Sequence, residues 1–281
     1  MTPVRVACCQ VRLTVGDVDG NTGRVRRAVE AAAEAGARIV VVPELANSGY
    51  VFTDAAEARS LAEPVDGSTV TGWVELARRL GVVIVGGFCE LDPDGILRNS
   101  AVVVDDGGVR ALYRKAHLWD REKLVFVPGD AAPPVVDTRY GRIAVMICYD
   151  LEFAEWIRLP ALGGAQLLCA PVNWPWASRP EGERPSEVVR VQAAAATNRM
   201  FVAVADRTGA ERGVDWVGGT VIADPDGWPI GGLALGREMT VVADLDLEAA
   251  LDKRISDHND VHADRRPELY APVHATKEIH D

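Results

Sequence analysis

The stretch Arg142-Ile143-Ala144-Val145-Met146-Ile147-Cys148-Tyr149-Asp150 is an apolar run that stops on a cysteine. Such a run between polar flanks reads as a buried strand. From about Phe153 onward the apolar spacing becomes that of a helix. A strand that delivers a thiol to a turn at a helix start is a recurrent way to build a cysteine nucleophile. The strand fixes the sulfur, and the helix start offers N–H groups and partial positive charge, which are expected to favour thiolate. Two further reactive groups end strand-like runs: Glu44 in Val40-Val41-Val42-Pro43-Glu44 and Lys115 in Leu112-Tyr113-Arg114-Lys115-Ala116-His117-Leu118. Three strand exits, each carrying a different reactive group, predict one catalytic site.

The same grammar runs through the chain. Val4–Val11 reads as a strand, followed by a helix near Asn21–Ala35 with Asn21 as N-cap and Gly36 just past its end. Ile39–Pro43 is a second strand. Ser68–Leu80 puts Val70, Trp73, Leu76, Ala77 and Leu80 on one helical face, stopped by Gly81. Val82–Phe88 is a third strand, and Asn99–Val104 with Val109–Arg114 reads as a hairpin turning through Asp105-Asp106-Gly107-Gly108. Further strands are expected near 142–147, 166–171, 200–205, 217–223 and 240–245, with helices near 153–163 and 185–197. Strands mixed with helices throughout mean an α/β layered fold. The hairpin favours a mixed sheet, and the absence of eight regular βα units weighs against a TIM barrel. A single domain over 1–281 is expected, ending in a polar tail from about 252 to 281.

Composition narrows the function. A net charge of -11 without a basic cluster argues against nucleic acid and anionic membrane as partners. No run reaches the ~18 apolar residues of a membrane helix, and the start, Met1–Gln10, has no apolar leader core. A cytoplasmic location is expected. The five cysteines, an odd number without Cys-x-x-Cys spacing, fit neither a disulfide framework nor a zinc site. Cys8, Cys9, Cys89 and Cys169 lie in apolar runs, where a thiol behaves as a small hydrophobe. Cys148, at a turn, is the exception.

Pro43-Glu44-Leu45, Tyr113-Arg114-Lys115-Ala116-His117-Leu118 and Ile147-Cys148-Tyr149-Asp150 resemble the three signature blocks of the nitrilase superfamily, the carbon–nitrogen hydrolases. The likeness extends to Gly49-Tyr50, Asn99-Ser100-Ala101, Phe126–Gly129, Arg158–Gly163, Arg190 with Asn198, Gly218-Gly219-Thr220, Asp224–Gly227 and Arg265–Tyr270. It implies an α-β-β-α sandwich that works as a homodimer or higher homo-oligomer, with no metal or organic cofactor. It implies a triad of Glu44, Lys115 and Cys148, with Glu122 as a second glutamate that orients Lys115 and the substrate. Tyr50, Trp119 and Trp174 resemble positions that wall the acyl pocket, although ordinary packing accounts for them equally well. Two positions depart from the pattern: Ala154, where many relatives have proline, and Asp206, where relatives often carry asparagine.

These groups can hydrolyse a small-molecule amide through a thioester. A free thiol with a pKa of ~8.5 is a few per cent ionised at neutral pH and needs a base. Glu44 is the expected base, provided that desolvation raises its pKa. Lys115 and the Tyr149 backbone N–H are expected to hold the oxyanion. Tyr149 resembles amidase, carbamoylase and ω-amidase branches, so small linear aliphatic amides lead. A nitrilase or N-carbamoyl amidohydrolase is the alternative, and a non-catalytic binding protein on the same fold a remote one. His117 could serve a Cys-His protease, but no papain-like nucleophile block surrounds Cys148, so a structural histidine is expected. His258 and His262 have metal-ligand spacing, yet sit in a segment rich in Asp and Asn, where a solvated tail is the better reading.

Overall fold

The computed structural model describes residues 3–270. One mixed sheet contains β1 (Val4–Arg12), β2 (Ile39–Val41), β3 (Val83–Leu91), β4 (Leu97–Asp105), β5 (Gly108–Arg114), β10 (Arg207–Thr208) and β15 (Met239–Leu245). The other contains β6 (Val135–Thr138), β7 (Gly141–Val145), β8 (Leu167–Pro171), β9 (Phe201–Ala205), β13 (Val221–Ala223) and β14 (Pro229–Leu233). Helices α1 (Val18–Glu34), α2 (Ala55–Leu61), α3 (Ser68–Leu80), α4 (Ala154–Leu162) and α5 (Ser186–Asn198) complete the layers. Two short hairpins, β11 (Ala210–Glu211) with β12 (Val214–Asp215) and β16 (Arg254–Ser256) with β17 (Asn259–Asp260), lie outside both sheets.

Strand alternation builds the layering. On β1, Val6 and Cys8 face the inter-sheet core, while Ala7, Cys9 and Val11 join Val25, Val29 and Ala32 of α1 and Val70, Trp73 and Leu76 of α3. Successive side chains of a strand point to opposite faces, so one apolar strand serves two interfaces. On the far side, α4 and α5 cover the second sheet with Ile157, Ala161, Val188, Val191 and Ala195. The result is the expected α-β-β-α sandwich. Each sheet has a parallel core, β1-β2-β3 in one and β7-β8-β9 in the other, with antiparallel strands toward the edges except for the short β10, which runs parallel to β1.

Several expectations change. Helix α1 is capped by Asp17, whose carboxylate accepts the Gly20 N–H at 3.1 Å, not by Asn21. Asn21 is fully buried, and its amide exchanges hydrogen bonds with Thr14 and donates to Asn47 O at 3.0 Å. The strand expected near 217–223 is confined to Val221–Ala223, because the preceding Gly218 adopts φ +58 and the Gly219 N–H turns toward Asp206. The hairpin turn shrinks to Asp106-Gly107, since β4 and β5 pair as far as Asp105 and Gly108. The polar tail includes the β16–β17 hairpin, and its part from 271 to 281 lies outside the described residues. Among the described residues no helix is long and apolar enough to cross a membrane, and no group of three or more His, Cys, Asp or Glu could hold a metal ion.

Candidate active site

The carboxyl ends of β2, β5, β7, β8 and β9 open toward one region, where open α/β sheets usually place ligands. After Val41 the chain stays beside β3, with Val42 N bonded to Val85 O, Gly87 N to Pro43 O and Ala46 N to Gly87 O. This close passage requires glycine: a Cβ on Gly87 would lie 2.6 Å from Glu44 Cα. Glu44 is thereby driven into the core, fully buried, and Leu45 beside it takes φ +48.

Lys115 leaves β5 with its backbone pinned at both ends, its N–H on Asn99 O at 2.8 Å and its carbonyl on Gly129 N–H at 2.9 Å. Its Nζ donates to Glu44 Oε1 and Glu122 Oε1, both at 2.7 Å. An ammonium has three donors, so one is left for another acceptor. Burial pulls the Lys115 pKa down, but the Glu122 and Glu44 carboxylates outweigh it and hold the lysine well above its ordinary value. Glu122 sits on a 3₁₀ turn, Asp120–Leu124, where its Oε2 accepts the Trp119 N–H at 3.0 Å and its Oε1 the Tyr50 hydroxyl at 2.5 Å. Asn99, near the start of the β4–β5 hairpin, donates to Glu44 Oε1 at 2.7 Å. The other oxygen, Glu44 Oε2, is buried and has no hydrogen-bond partner. Burial raises the Glu44 carboxyl, Lys115 opposes the shift and Glu122 adds to it; the outcome is about 7.

Cys148 opens a 3₁₀ turn, Cys148–Glu152, in the left-handed region at φ +46. A non-glycine residue there costs about 1–2 kcal/mol, and such strain persists where surrounding structure over-determines it. Here the determinant is Asp150. Fully buried, it accepts Ile147 N–H at 3.1 Å and the Tyr113 hydroxyl at 2.7 Å on Oδ2, and His117 N–H at 3.1 Å on Oδ1. The His117 Nδ1 lies 2.7 Å from the same Oδ1, and its ring stacks on Phe153 at 3.8 Å. One carboxylate thus ties the Cys148 turn to the Lys115 segment, and His117 belongs to that framework. The sulfur lies 3.7 Å from Asn173 O, and the Asn173 amide donates to Glu44 O at 2.9 Å. Burial, then the Glu44 charge, raises the Cys148 thiol well above its ordinary value despite the pull of Lys115. Burial thus works against the charge that a helix start would favour and leaves the thiol in need of a base.

Tyr50 and Trp119 line a cavity of about 210 Å³ that reaches Glu122, with Phe52, Phe126 and Trp216 as its other aromatic walls. Trp119 is 42% exposed and packs edge-on against Tyr149 at 4.9 Å, at the rim. Trp174 is not among the residues lining this cavity. It is buried, its N–H bonds Asp206 Oδ1 at 3.1 Å, and its ring would touch a Cβ on Gly219. Asp206 also accepts Arg207 N–H and Gly219 N–H, each at 2.8 Å. Burial lifts its carboxyl to about 7 even against these donors. An acid here serves the same acceptor role that an asparagine oxygen would fill in part.

The profile of the carbon-nitrogen hydrolase family matches residues 5–254. The chain is 37% identical over 270 residues to a nitrilase of Pyrococcus abyssi, covering 95% of this chain and 99% of that protein. It is 33% identical over 289 residues to an N-carbamoylputrescine amidase of Solanum lycopersicum, covering 95% and 93% respectively. A variant of the amidase from Nesterenkonia sp. AN1, solved with acrylamide added at its active-site cysteine, superposes with a TM-score of 0.79 at 28% identity over 96% of this chain and 99% of that one. Sequence, layering and nearly complete mutual coverage agree: the chain belongs to the carbon-nitrogen hydrolase family and is a hydrolase of carbon–nitrogen bonds.

Proposed function

We propose that this hydrolase cleaves small linear amides to a carboxylate and ammonia through a thioester on Cys148. The observation that carries the reading is the buried Glu44–Lys115–Glu122 cluster, in which one glutamate oxygen and one lysine donor remain uncommitted. The Cys148 sulfur attacks the amide carbonyl as Glu44 takes the thiol proton. The resulting oxyanion is held by the spare Lys115 donor and by the Tyr149 N–H at the start of the turn, a place where helices leave such groups unpaired. As the tetrahedral intermediate collapses, the C–N bond breaks and Glu44 returns the proton to the departing amine. Water then gives a proton to Glu44 and its hydroxyl to the acyl carbon, releasing acid and thiol.

The roles divide cleanly. Glu122 and Asn99 hold Lys115 and Glu44 in place, and Tyr50 fixes Glu122. A buried donor aimed at developing charge is worth about 3 kcal/mol of barrier. The neighbour with acrylamide on its cysteine supports amides as ligands for this geometry. The relatives named nitrilase and N-carbamoylputrescine amidase keep nitriles and carbamoyl compounds as alternatives that share attack on an electrophilic carbon. An ammonia-release screen separates them. Propionamide and butyramide should be hydrolysed without release of carbon dioxide. Conversion of propionitrile with both amides inert, or ammonia with carbon dioxide from N-carbamoyl compounds alone, would overturn the amide assignment.

A further inference from the structure

We infer that Arg207 and Glu211 are a positioning pair that sets the acyl preference of this site, an inference that rests on the amide reading above. Arg207 is among the largest fully buried side chains of the protein. Its guanidinium meets Glu211 through Nη1–Oε2 at 3.1 Å and Nη2–Oε1 at 3.0 Å. It donates in addition to Leu13 O and lies over the Trp216 ring at 4.6 Å. The Glu211 Oε2 also accepts Tyr50 N–H at 2.8 Å and Val51 N–H at 2.7 Å.

One ion pair therefore reaches two walls of the cavity beside Glu122. Glu211 fixes the backbone of the segment bearing Tyr50, Val51 and Phe52, and Arg207 supports the face of Trp216; all four residues line that cavity. Tyr50 closes against Trp216 at 5.5 Å and extends its hydroxyl to Glu122. The segment has little freedom to re-enter by another path. Gly49 takes φ +79, and a Cβ there would meet the Val15 backbone at 2.4 Å and Glu211 Oε1 at 2.8 Å. Neither member of the pair hydrogen-bonds Cys148, Lys115 or Glu44.

A buried ion pair is a poor source of stability, because desolvation offsets its Coulomb attraction, and well-packed apolar residues often do as well or better. What this pair supplies is a single orientation: a planar fork with fixed donor directions, matched to one carboxylate that has backbone donors on its other side. The cavity wall is thereby rigid, and its discrimination among acyl groups follows from that rigidity.

The test compares wild type with Arg207→Lys and with the double variant Arg207→Met/Glu211→Leu, which removes both partners of the ion pair together. For each, kcat and KM are measured over acetamide, propionamide, butyramide, isobutyramide and hexanamide, together with the rate of Cys148 alkylation by iodoacetamide and the Tm. One methylene more or less in a well-fitted apolar pocket is worth about 10–200-fold in discrimination. Both variants should flatten the ratio of best to worst kcat/KM by about tenfold or more, mainly through KM, with alkylation changed less than about twofold. The double variant should do so even where its Tm matches wild type. An unchanged acyl profile in a folded variant, or a uniform loss that merely follows the Tm, would overturn the inference. If wild type turns over no amide, the amide reading itself fails and this inference falls with it.

Discussion

Cys148→Ala is expected to lower kcat for amides by on the order of 10⁶-fold, the scale seen when a nucleophile is deleted from a hydrolytic triad, while the protein stays folded. The loss should be this large because the remaining groups cannot substitute for sulfur. In the proposed mechanism Glu44 and Lys115 serve a covalent step, and without it they act only on bound water. The fold should survive because the thiol contributes one weak contact, 3.7 Å to Asn173 O, whereas the turn is held by Asp150 through backbone and side-chain bonds that alanine leaves intact. A stability change within about 1 kcal/mol is expected, typical of a small change that neither opens a large cavity nor strands a polar group. The other thiols provide the control. Cys8, Cys9, Cys89 and Cys169 are fully buried in strands, and burial pushes Cys9 and Cys89 up to about 12. They should remain unmodified by a thiol reagent in the native state, so that loss of activity on alkylation tracks one site. Ammonia release, checked against the circular dichroism of the variant, decides the matter; a folded Cys148→Ala protein with turnover near wild type would remove the nucleophile assignment.

The second large effect concerns Glu44 and carries a sign in pH. In its proposed role as base, Glu44 must be ionised before it can take the thiol proton, and burial raises its carboxyl to about 7. The value of kcat/KM should therefore fall as pH drops through about 7. Glu44→Gln should lose about 10²–10⁴-fold in kcat, the usual worth of a positioned base, and its residual rate should lack that acid limb. Stability moves the other way. The native carboxyl binds its proton more tightly than the unfolded one, so its contribution to stability is fully present below the ordinary carboxylate range and is lost as pH rises through about 7. Asp206, also raised to about 7 by burial, acts in the same direction. The difference in unfolding free energy between wild type and Glu44→Gln isolates the Glu44 share and should drift in favour of the variant between about pH 4.5 and 7. A glutamine variant with the wild-type acid limb would show that another group is the base.

Much of this architecture could be read from apolar spacing. The limits of α3 follow from one helical face and Gly81, whose φ of +66 ends the helix. The strands ending before Glu44, Lys115 and Cys148 are visible because a buried parallel strand is a short apolar run, and the block resemblance puts the three residues in a single reaction. What spacing could not show is the set of short polar side chains that assemble the site. Asn99, Asn173, Asp150 and Asp206 each stand near a strand end, where Asn and Asp commonly stabilise turns. Their partners lie 23 or more residues away in sequence for Asn99 on Glu122, and 129 for Asn173 on Glu44. The misplaced cap has the same origin. Asn21 has capping chemistry, but Asp17 caps α1 and leaves the asparagine amide to bind Thr14 and the Asn47 carbonyl. The upward push on the Cys148 thiol was likewise hidden, because it depends on how deeply the turn is buried and on the nearby Glu44 charge, neither of which is a local property.

The most direct single measurement is the intact mass of the protein quenched in acid during turnover of butyramide, followed by peptide mapping. The expected result is a population heavier by one butyryl group, carried on the peptide containing Cys148 and absent from Cys148→Ala. Steady turnover with no acyl adduct at any quench time, or an adduct on a residue other than Cys148, would contradict covalent catalysis by this thiol.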